Sequence, residues 1–302
     1  MSFLPLLLPL AVLGAPAATL DREVLCMGTR LGIHLEGPGV TEASGRILRE
    51  LDRIERACST WDPGTPWSRL NAAKGAPVNL DAEWLDLLGA AKAWSRRTGG
   101  AFDPVLGRLL AAWGIRSGGR VPSAAELDRA RRASGSALLV LEPGSARLLD
   151  PEAALEEGGF LKGYALDAAR RVAAGTSGWL DFGGQILAWG APREVGVADA
   201  DDRGATRFTL VLPDGMSLSS SGCAERGRHI LDPATGGPCP DWGAVAVAAA
   251  SGLDADVLST ALYVMGPDRG FLWAADHGAA AAFLLHGGEV RETAAFAALK
   301  AR

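Results

Sequence analysis

Five short segments with strand-like sequence follow one another between residues 179 and 250, and no helical pattern separates them. They are residues 179–182, 185–189, 207–212, 217–220 and 244–250. A parallel sheet would place a helical crossover between successive strands, which gives a sequence an alternating strand and helix rhythm. Because this rhythm is absent, the sequence predicts an α+β fold of mixed, largely antiparallel sheets flanked by helices rather than a Rossmann sheet.

Helical patterns precede and follow these strands. Apolar residues recur at helical spacing over residues 41–61, Asp81 begins a second amphipathic stretch, and Ser123 and Glu126 form a capping box. Further helices are predicted over residues 160–174, 254–265 and near 268–277. Strands or hairpins are predicted over residues 23–35, with a Met-Gly-Thr turn inside, and over residues 138–149, 280–285 and 289–293.

The chain is expected to form one structural unit over residues 19–302. Its 302 residues are 48% hydrophobic, which is enough for a sizeable core, and no repeat, linker or low-complexity block divides it. With 30 basic and 35 acidic residues the net charge is −5. This balance provides no electrostatic footprint for nucleic acid, so we expect no nucleic-acid partner.

The N-terminus resembles a secretory signal. Residues 3–13 are apolar and are followed by Ala15-Pro16-Ala17, a small-residue site of the kind that signal peptidases cleave. The apolar run is too short for an ordinary membrane span. We therefore expect residues 1–18 to be a signal peptide and the protein to be periplasmic or membrane-associated; without a functional signal it would be cytoplasmic. In an exported protein the four cysteines could form one or two disulfides or remain thiols.

A carboxylate and a hydroxyl lie one helical turn apart in the segment 254–265. Residues four apart stack on one face of a helix, so Asp256 and Thr260 can converge on one point. Hard oxygens so placed suit Mg²⁺, which completes its shell with phosphates or water. The alternative is that the pair makes a helix cap or a local hydrogen bond.

A second pattern places two glycines where a helix begins. Gly158-Gly159 precedes Lys162, so the backbone could approach a phosphate closely while the helix N-terminus and the ammonium favour its charge. The pattern is neither a P-loop nor a dinucleotide fingerprint, and a plain loop-to-helix turn is the alternative.

Two polar turns complete the candidate site. Asp103 could accept hydrogen bonds from a base or a ribose, or could act as an N-cap before Pro104. His229 is the histidine that lies in a polar, turn-rich setting. A serine hydrolase is excluded because the chain lacks a G-x-S-x-G nucleophile elbow.

Taken in order, these segments resemble the ApbE family of FAD:protein FMN transferases over about four-fifths of the chain. The resemblance is carried by Met27-Gly28-Thr29, Ser59-Thr60-Trp61, Ser68-Arg69-Leu70-Asn71, Gly100-Ala101-Phe102-Asp103-Pro104, Gly158-Gly159-x-x-Lys162-Gly163-Tyr164-Ala165-x-Asp167, Gly183-Gly184, Ser221-Gly222, His229-Ile230-x-Asp232-Pro233-x-Thr235-Gly236 and Ala255-Asp256-x-x-Ser259-Thr260-Ala261-Leu262. The resemblance implies an ApbE-like, T-fold-related single unit.

It also implies the activity and the residues that carry it. An Mg²⁺-dependent enzyme would cleave FAD and attach FMN through a phosphoester bond to a Thr or Ser of an acceptor protein, releasing AMP; a membrane redox complex would supply the acceptor. Asp256, Thr260 and the Gly159 carbonyl would hold the metal, and His229 would orient or deprotonate the attacking hydroxyl. FAD would contact Met27, Trp61, Ala101, Phe102, Asp103, Glu156, Lys162 and Ile230.

Three positions depart from the family pattern. Glu156-Glu157 stands where the family usually has Asp-Leu, Trp61 where it commonly has Tyr, and Asp181 where it commonly has Asn. The added negative charge could disturb metal placement near a pyrophosphate. Two alternatives therefore stay open, namely an FAD-binding protein without transferase activity and an FAD pyrophosphatase that yields FMN and AMP.

Overall fold

A computed structural model describes residues 18–223, 227 and 229–301. The predicted signal peptide lies outside these residues apart from Ala18. The first described strands, β1 (Thr19–Cys26) and β2 (Thr29–Glu36), pair as an antiparallel hairpin. Its two-residue turn consists of Met27 and Gly28, whose φ angles are 46° and 70°, as the tightest hairpin turns require. The predicted strand with an internal turn is thus a hairpin.

Among the described residues, eight strands form one antiparallel sheet in the order β1-β2-β6-β7-β10-β11-β12-β13. The remaining strands of this sheet are β6 (Ser177–Phe182), β7 (Gln185–Trp189), β10 (Ser217–Gly222), β11 (Gly243–Ala249), β12 (Ala280–Leu285) and β13 (Val290–Glu292). A small sheet contains β3 (Val78–Asn79), β4 (Leu139–Glu142) and β5 (Ser145–Leu148), and a separate hairpin contains β8 (Arg193–Ala198) and β9 (Thr206–Leu212). The predicted α+β class with antiparallel sheets is confirmed.

The helices are α1 (Val40–Cys58), α2 (Pro66–Ala72), α3 (Ala82–Arg97), α4 (Gly107–Ala112), α5 (Ala124–Arg132), α6 (Leu161–Val172), α7 (Gly252–Asp276) and α8 (Ala294–Ala297). The capping box of Ser123 and Glu126 at the start of α5 is confirmed. Asp81 precedes α3 as predicted, but its side chain makes no capping hydrogen bond. Gly266, with φ 77° and ψ 171°, interrupts α7 between the two helices that the sequence predicted there. None of the described helices is long and apolar enough to cross a membrane.

The two faces of the main sheet bury different layers. Along β11, Val245 and Val247 pack into the large core under α1, α6 and α7, whereas Ala246 and Ala248 pack under the β8–β9 hairpin. This alternation follows from the two-residue period of a strand. The small side chains on the second face suit the close approach of another layer. The sequence analysis missed β8, and therefore missed this layer.

Helices α6 and α7 touch at two glycines. A Cβ atom on Gly163 would collide with the carbonyl group of Gly252, and a Cβ atom on Gly252 would collide with the carbonyl oxygen of Gly163. Neither position has room for a side chain. The contact brings the first turns of the two helices together, and the candidate site lies there.

We expect a methyl group at this contact to destabilise the fold. Gly163→Ala should lower the free energy of unfolding by about 1–3 kcal/mol, because the helices would have to separate. Gly89→Ala in α3 is the matched control, since a Cβ atom there would meet only Leu141 Cδ1 at 3.8 Å. This control should gain roughly 0.5–1 kcal/mol from reduced backbone freedom. Urea unfolding measures both variants, and similar small changes in the two would contradict the close contact.

All four cysteines are thiols in the structure. Cys58, Cys223 and Cys239 are buried, and Cys26 is partly buried. Burial raises the pKa of Cys26 to about 11 and that of Cys239 to about 12. The thiols of Cys26 and Cys239 are therefore protonated at neutral pH and unreactive as nucleophiles.

Candidate active site

A cavity of about 550 Å³ lies at one end of the main sheet. One part lies on the helix side and is lined by Lys162, Asp256 and Thr260. The opposite part is lined by β8 and by residues of the loop that follows it. Between them the cavity passes the β6–β7 turn and the adjoining ends of β10 and β11. The cavity thus joins the two faces of the sheet around its end.

Asp256 contributes a buried carboxylate to the cavity wall. The residue is only 5% exposed, and its Oδ2 accepts a hydrogen bond of 3.0 Å from the N–H of Gly163 in the first turn of α6. Burial raises the pKa of Asp256, and the charge of Lys162 and the Gly163 hydrogen bond oppose this rise. A carboxylate in this position is stabilised in its charged form when a cation binds beside it.

The capping role suggested for Asp256 applies to the neighbouring helix rather than to its own. The first N–H groups of α7 are bonded by other residues: Asp167 accepts from Gly252 at 2.7 Å and from Leu253 at 3.0 Å. Ser251 accepts from Asp254 at 3.0 Å. The Asp256 side chain instead satisfies an N–H of α6 through one oxygen. Capping and metal binding are compatible, because the capping bond uses only Oδ2.

The other two predicted metal ligands lie beside Asp256. Thr260 follows it by one turn on α7 and lines the same cavity. A Cβ atom on Gly159 would lie 3.4 Å from the Thr260 Oγ1 and 3.4 Å from the Phe102 ring, so the Gly159 backbone lies against that hydroxyl. The structure therefore brings Gly159, Asp256 and Thr260 together.

This set of oxygens suits Mg²⁺. It does not suit a metal ion whose ligands all come from the protein. The described residues contain no group of three or more His, Cys, Asp or Glu side chains that could hold a metal ion. One carboxylate, one hydroxyl and one carbonyl are hard ligands but too few to fill an octahedral shell. Mg²⁺ commonly binds in this way, with phosphate oxygens and water as its remaining ligands.

Lys162 supplies positive charge next to Asp256. It lies in the first turn of α6 and lines the cavity, and its backbone N–H donates to no acceptor among the described residues. A helix N-terminus with an unsatisfied N–H and an adjacent ammonium group favours a bound phosphate. The predicted phosphate-binding role of the Gly158-Gly159 turn thus has a suitable geometry.

The extra carboxylate of Glu157 is paired away from this metal set. Arg116 Nη2 donates to Glu156 Oε2 at 2.5 Å and to Thr60 Oγ1 at 2.6 Å, and lies 3.4 Å from Glu157 Oε2. Thr60 also donates to Glu157. One guanidinium group therefore serves both carboxylates. Burial raises the pKa of Glu156 to about 7, the charge of Glu157 contributes to the rise, and Arg116 opposes it.

Comparison with known proteins identifies the family of the chain. The model of the ApbE family matches residues 27–284. The chain belongs to the ApbE family. It is 30% identical over 284 residues to a FAD:protein FMN transferase of Rhodobacter capsulatus, covering 85% of this chain and 53% of that protein's length.

Two solved structures share the fold over nearly the whole chain. The ApbE protein of Thermotoga maritima superposes with a TM-score of 0.88 at 28% identity, covering 94% of this chain and 100% of that one. The flavinyl transferase ApbE of Pseudomonas stutzeri superposes with a TM-score of 0.86 at 28% identity, covering 95% and 98%. The predicted ApbE-like fold is confirmed.

The side chains predicted to contact FAD differ in their exposure in this member of the ApbE family. Trp61 is 65% exposed, and the Arg116 guanidinium lies over its ring at 4.0 Å, so the indole is a fixed aromatic surface at the cavity. Phe102 is only 3% exposed, and its ring packs edge-on against Phe160. Phe102 and its buried neighbour Ala101 therefore shape the cavity wall, and Trp61 is the ring available for stacking.

The Asp103 carboxylate is already engaged by the protein. Its Oδ2 accepts from Ser95 Oγ at 2.9 Å and from the N–H of Ser136 at 2.7 Å, and its Oδ1 accepts from the N–H of Val105 at 2.8 Å. These bonds hold the loop that carries Phe102 against α3. The alternative considered for Asp103, an N-cap, does not describe its side chain, because the N-cap of α4 is Leu106; the residue nevertheless lines the cavity.

Met27 and Asp181 lie at the strand ends near the cavity. Met27 occupies the β1–β2 turn and packs against the core, and it is not among the residues that line the cavity. Asp181 lines the cavity, accepts from the N–H of Gly184 at 3.0 Å and lies 3.5 Å from an Arg30 nitrogen. The negative charge of Asp181, which stands where the family commonly has Asn, is therefore balanced by Arg30.

His229 and Ile230 line the cavity next to the end of β10. His229 Nδ1 lies 2.9 Å from the carbonyl oxygen of Gly227. Because a carbonyl only accepts, Nδ1 must carry a hydrogen, which in the neutral ring leaves Nε2 as the proton acceptor. Ile230 is 9% exposed and its carbonyl accepts from the N–H of Cys239 at 2.9 Å, which closes the turn that carries both residues.

The sequence analysis missed the partners of these residues. Arg116 follows a short helix and has no motif around it, so only the fold reveals that it meets Thr60 and Glu156. His286 on the far wall of the cavity bonds Asp201 at 2.6 Å and Asp241 at 3.1 Å, and these bonds raise its pKa. It ties the β8–β9 loop to the end of β12. Residues this far apart in sequence carry no spacing signal.

Glu156 should make folding stability depend on pH. Its pKa in the folded state is about 7, above the value of about 4.5 expected for an exposed glutamate, so the folded state binds the additional proton. Stability should therefore fall as the pH rises through this interval. Glu156→Gln should flatten the thermal-melting profile between pH 5 and pH 7. The conservative control Glu152→Gln at an exposed site should leave the profile unchanged, and an unchanged profile in Glu156→Gln as well would contradict the assignment.

Proposed function

We propose that this chain is an Mg²⁺-dependent FAD:protein FMN transferase. The bond between the FMN phosphorus and the bridging oxygen of the pyrophosphate breaks, and a bond forms from that phosphorus to a threonine or serine oxygen of an acceptor protein. The hydroxyl proton is lost and AMP leaves. The convergence of Gly159, Asp256, Thr260 and Lys162 on one cavity is the observation that carries the proposal, and relatives in this family bear that name.

The residues have distinct roles in this reaction. Lys162 and the N-terminus of α6 bind the pyrophosphate, and Asp256, Thr260 and the Gly159 carbonyl hold the Mg²⁺ ion. The ion, when bound, neutralises charge that develops on the phosphoryl oxygens, which is the main requirement of phosphoryl transfer. Trp61 offers its ring to FAD. His229 accepts the proton of the acceptor hydroxyl through Nε2.

The arrangement of Glu157 favours a transferase over a protein that only binds FAD. The hypothesis of a protein that only binds FAD was based on additional negative charge near the pyrophosphate. Glu157 instead bonds Thr60 and lies beside Arg116, which it shares with Glu156, so its charge is partly compensated within the protein. The same proposal includes export, since the leader resembles a secretory signal, and an acceptor domain of a membrane redox complex as the partner.

AMP release distinguishes the proposed activity from its two alternatives. We expect AMP release from FAD and Mg²⁺ only when an acceptor domain is present, together with covalent flavin fluorescence of that domain in a denaturing gel. A characterised ApbE transferase acting on the same domain is the positive control. Acceptor-independent AMP release would indicate a pyrophosphatase, and its absence under both conditions would indicate an FAD-binding protein.

Asp256→Asn tests the metal site without removing the hydrogen bond to α6, because the amide oxygen can still accept from Gly163. We expect transfer to fall on the order of 10²-fold or more, since positioning and charge neutralisation supply most of the rate. FAD should still bind. Ser123→Ala, which removes the capping box of α5, should cost about 1 kcal/mol of stability with near-normal transfer. Near-normal transfer by Asp256→Asn would make the metal assignment wrong.

A further inference from the structure

One wall of the cavity contains a strand edge that no described strand covers. Strand β8 pairs with β9, and no other described strand pairs with it. The register places Arg193 opposite Leu212, Val195 opposite Leu210 and Val197 opposite Phe208. The second edge of β8 therefore faces away from the hairpin.

The hydrogen bonds of β9 show which backbone groups of β8 are directed to that edge. On its outer side β9 bonds the C-terminal segment: Val211 donates to Leu299 at 2.7 Å, and Ala301 donates to Thr209 at 3.1 Å. Successive residues of an antiparallel strand direct their N–H and C=O groups alternately to opposite sides. Residues 208, 210 and 212 of β9 therefore bond β8, through residues 193, 195 and 197. Residues 194, 196 and 198 of β8 direct their groups outward.

The next residue confirms this alternation. Asp199 donates its N–H to the carbonyl oxygen of Ala205, the residue before β9, at 3.0 Å, so Ala198 directs its N–H to the opposite side. No acceptor or donor among the described residues bonds the backbone of Gly196 or Ala198 on that side. The N–H and C=O groups of Gly196 and Ala198, two residues apart, are thus available at this edge for hydrogen bonds with another chain.

This edge faces the cavity. Gly196, Val197 and Ala198 all line it, although the Val197 side chain is buried against the main sheet at 4% exposure. The side chains of consecutive strand residues alternate between two faces, so the lining of one space by all three residues indicates that the cavity borders the backbone edge of the strand. Exposed strand edges are templates for the pairing of another chain.

We propose that this edge binds the acceptor protein, whose threonine- or serine-bearing segment adds as an extended strand beside β8. The inference rests on the proposed function, because that reaction brings a polypeptide into this cavity. A polypeptide presents N–H and C=O groups at the two-residue repeat that matches Gly196 and Ala198, whereas FAD has no such repeat. The cavity is continuous from this edge to Lys162 and Asp256, so a docked segment can reach the phosphoryl site.

Recognition of this kind has a consequence for specificity. Main-chain bonds position a segment without selecting its side chains. The affinity for the acceptor should then depend on an extended conformation at the modified residue. Selection of the hydroxyl residue follows from the phosphoryl site, where only a nucleophilic side chain reacts.

Ala198→Pro tests the edge and preserves the hairpin. Proline removes the outward N–H and puts its ring on the edge, but it breaks no bond to β9. Ala198→Val is the matched control, because it enlarges the side chain and keeps the N–H. We expect Ala198→Pro to raise the KM for the acceptor domain about tenfold, as for loss of one well-made hydrogen bond, with the FAD affinity unchanged. Ala198→Val should behave like the wild type in both measurements.

Amide exchange of the wild-type protein gives an independent measurement. Exchange at Gly196 and Ala198 should slow when FAD and an acceptor domain whose modified residue is replaced by alanine are both present, and should not slow with FAD alone. Protection by FAD alone would assign the edge to FAD and overturn the proposal. Unchanged exchange with the acceptor, or an unchanged KM in Ala198→Pro, would also overturn it. The test of the proposed function is independent of these results, because a wrong function would be seen as a lack of AMP release by the wild-type protein.

Discussion

The site depends on the hydrogen bonds that α6 and α7 exchange at their first turns. Asp167 on α6 satisfies the N–H groups that open α7, and Asp256 on α7 satisfies the N–H of Gly163 that opens α6. The helices can come this close because Gly163 and Gly252 have no side chains at the contact. The buried carboxylate of Asp256 and the partly buried carboxylate of Asp167 thus replace backbone acceptors that a helix end lacks. The consequence is that a helix N-terminus, Lys162 and an aspartate meet at one cavity.

Charge balance is the second constraint on this cavity. Glu156, Glu157 and Asp181 lie near a space that suits a pyrophosphate, and each would repel it if unpaired. Arg116 bonds Glu156 and lies beside Glu157, while Arg30 lies beside Asp181. The same Arg116 lies over the ring of Trp61. Arg116, which compensates the charge of Glu156 and Glu157, therefore also holds the Trp61 ring, to which we assign contact with FAD.

The position of the cavity at the end of the sheet explains how it could serve two substrates. Its helix side carries Lys162, Asp256 and Thr260, to which we assign phosphate and metal binding, and its other side carries the edge of β8. The β8–β9 hairpin is held there by small residues such as Ala246 and Ala248 beneath it and by His286, which bonds its loop. A cavity that joins both faces of a sheet lets a small molecule and a protein segment approach one reacting atom from different directions.

The sequence by itself determined the elements and the chemistry that local patterns carry. Periodicity predicted most helices and strands, the i, i+4 spacing placed Asp256 beside Thr260, and ordered motifs identified the family. Tertiary structure alone decided which carboxylates are engaged by the protein: Asp103 bonds Ser95 and Ser136, whereas Asp256 keeps one oxygen for the cavity. It also decided that Arg116 pairs with Glu156 and that the edge of β8 faces the cavity. Local patterns act within a few residues of the chain, whereas most of these contacts join residues separated by tens of positions, and only the packing of the layers brings them together.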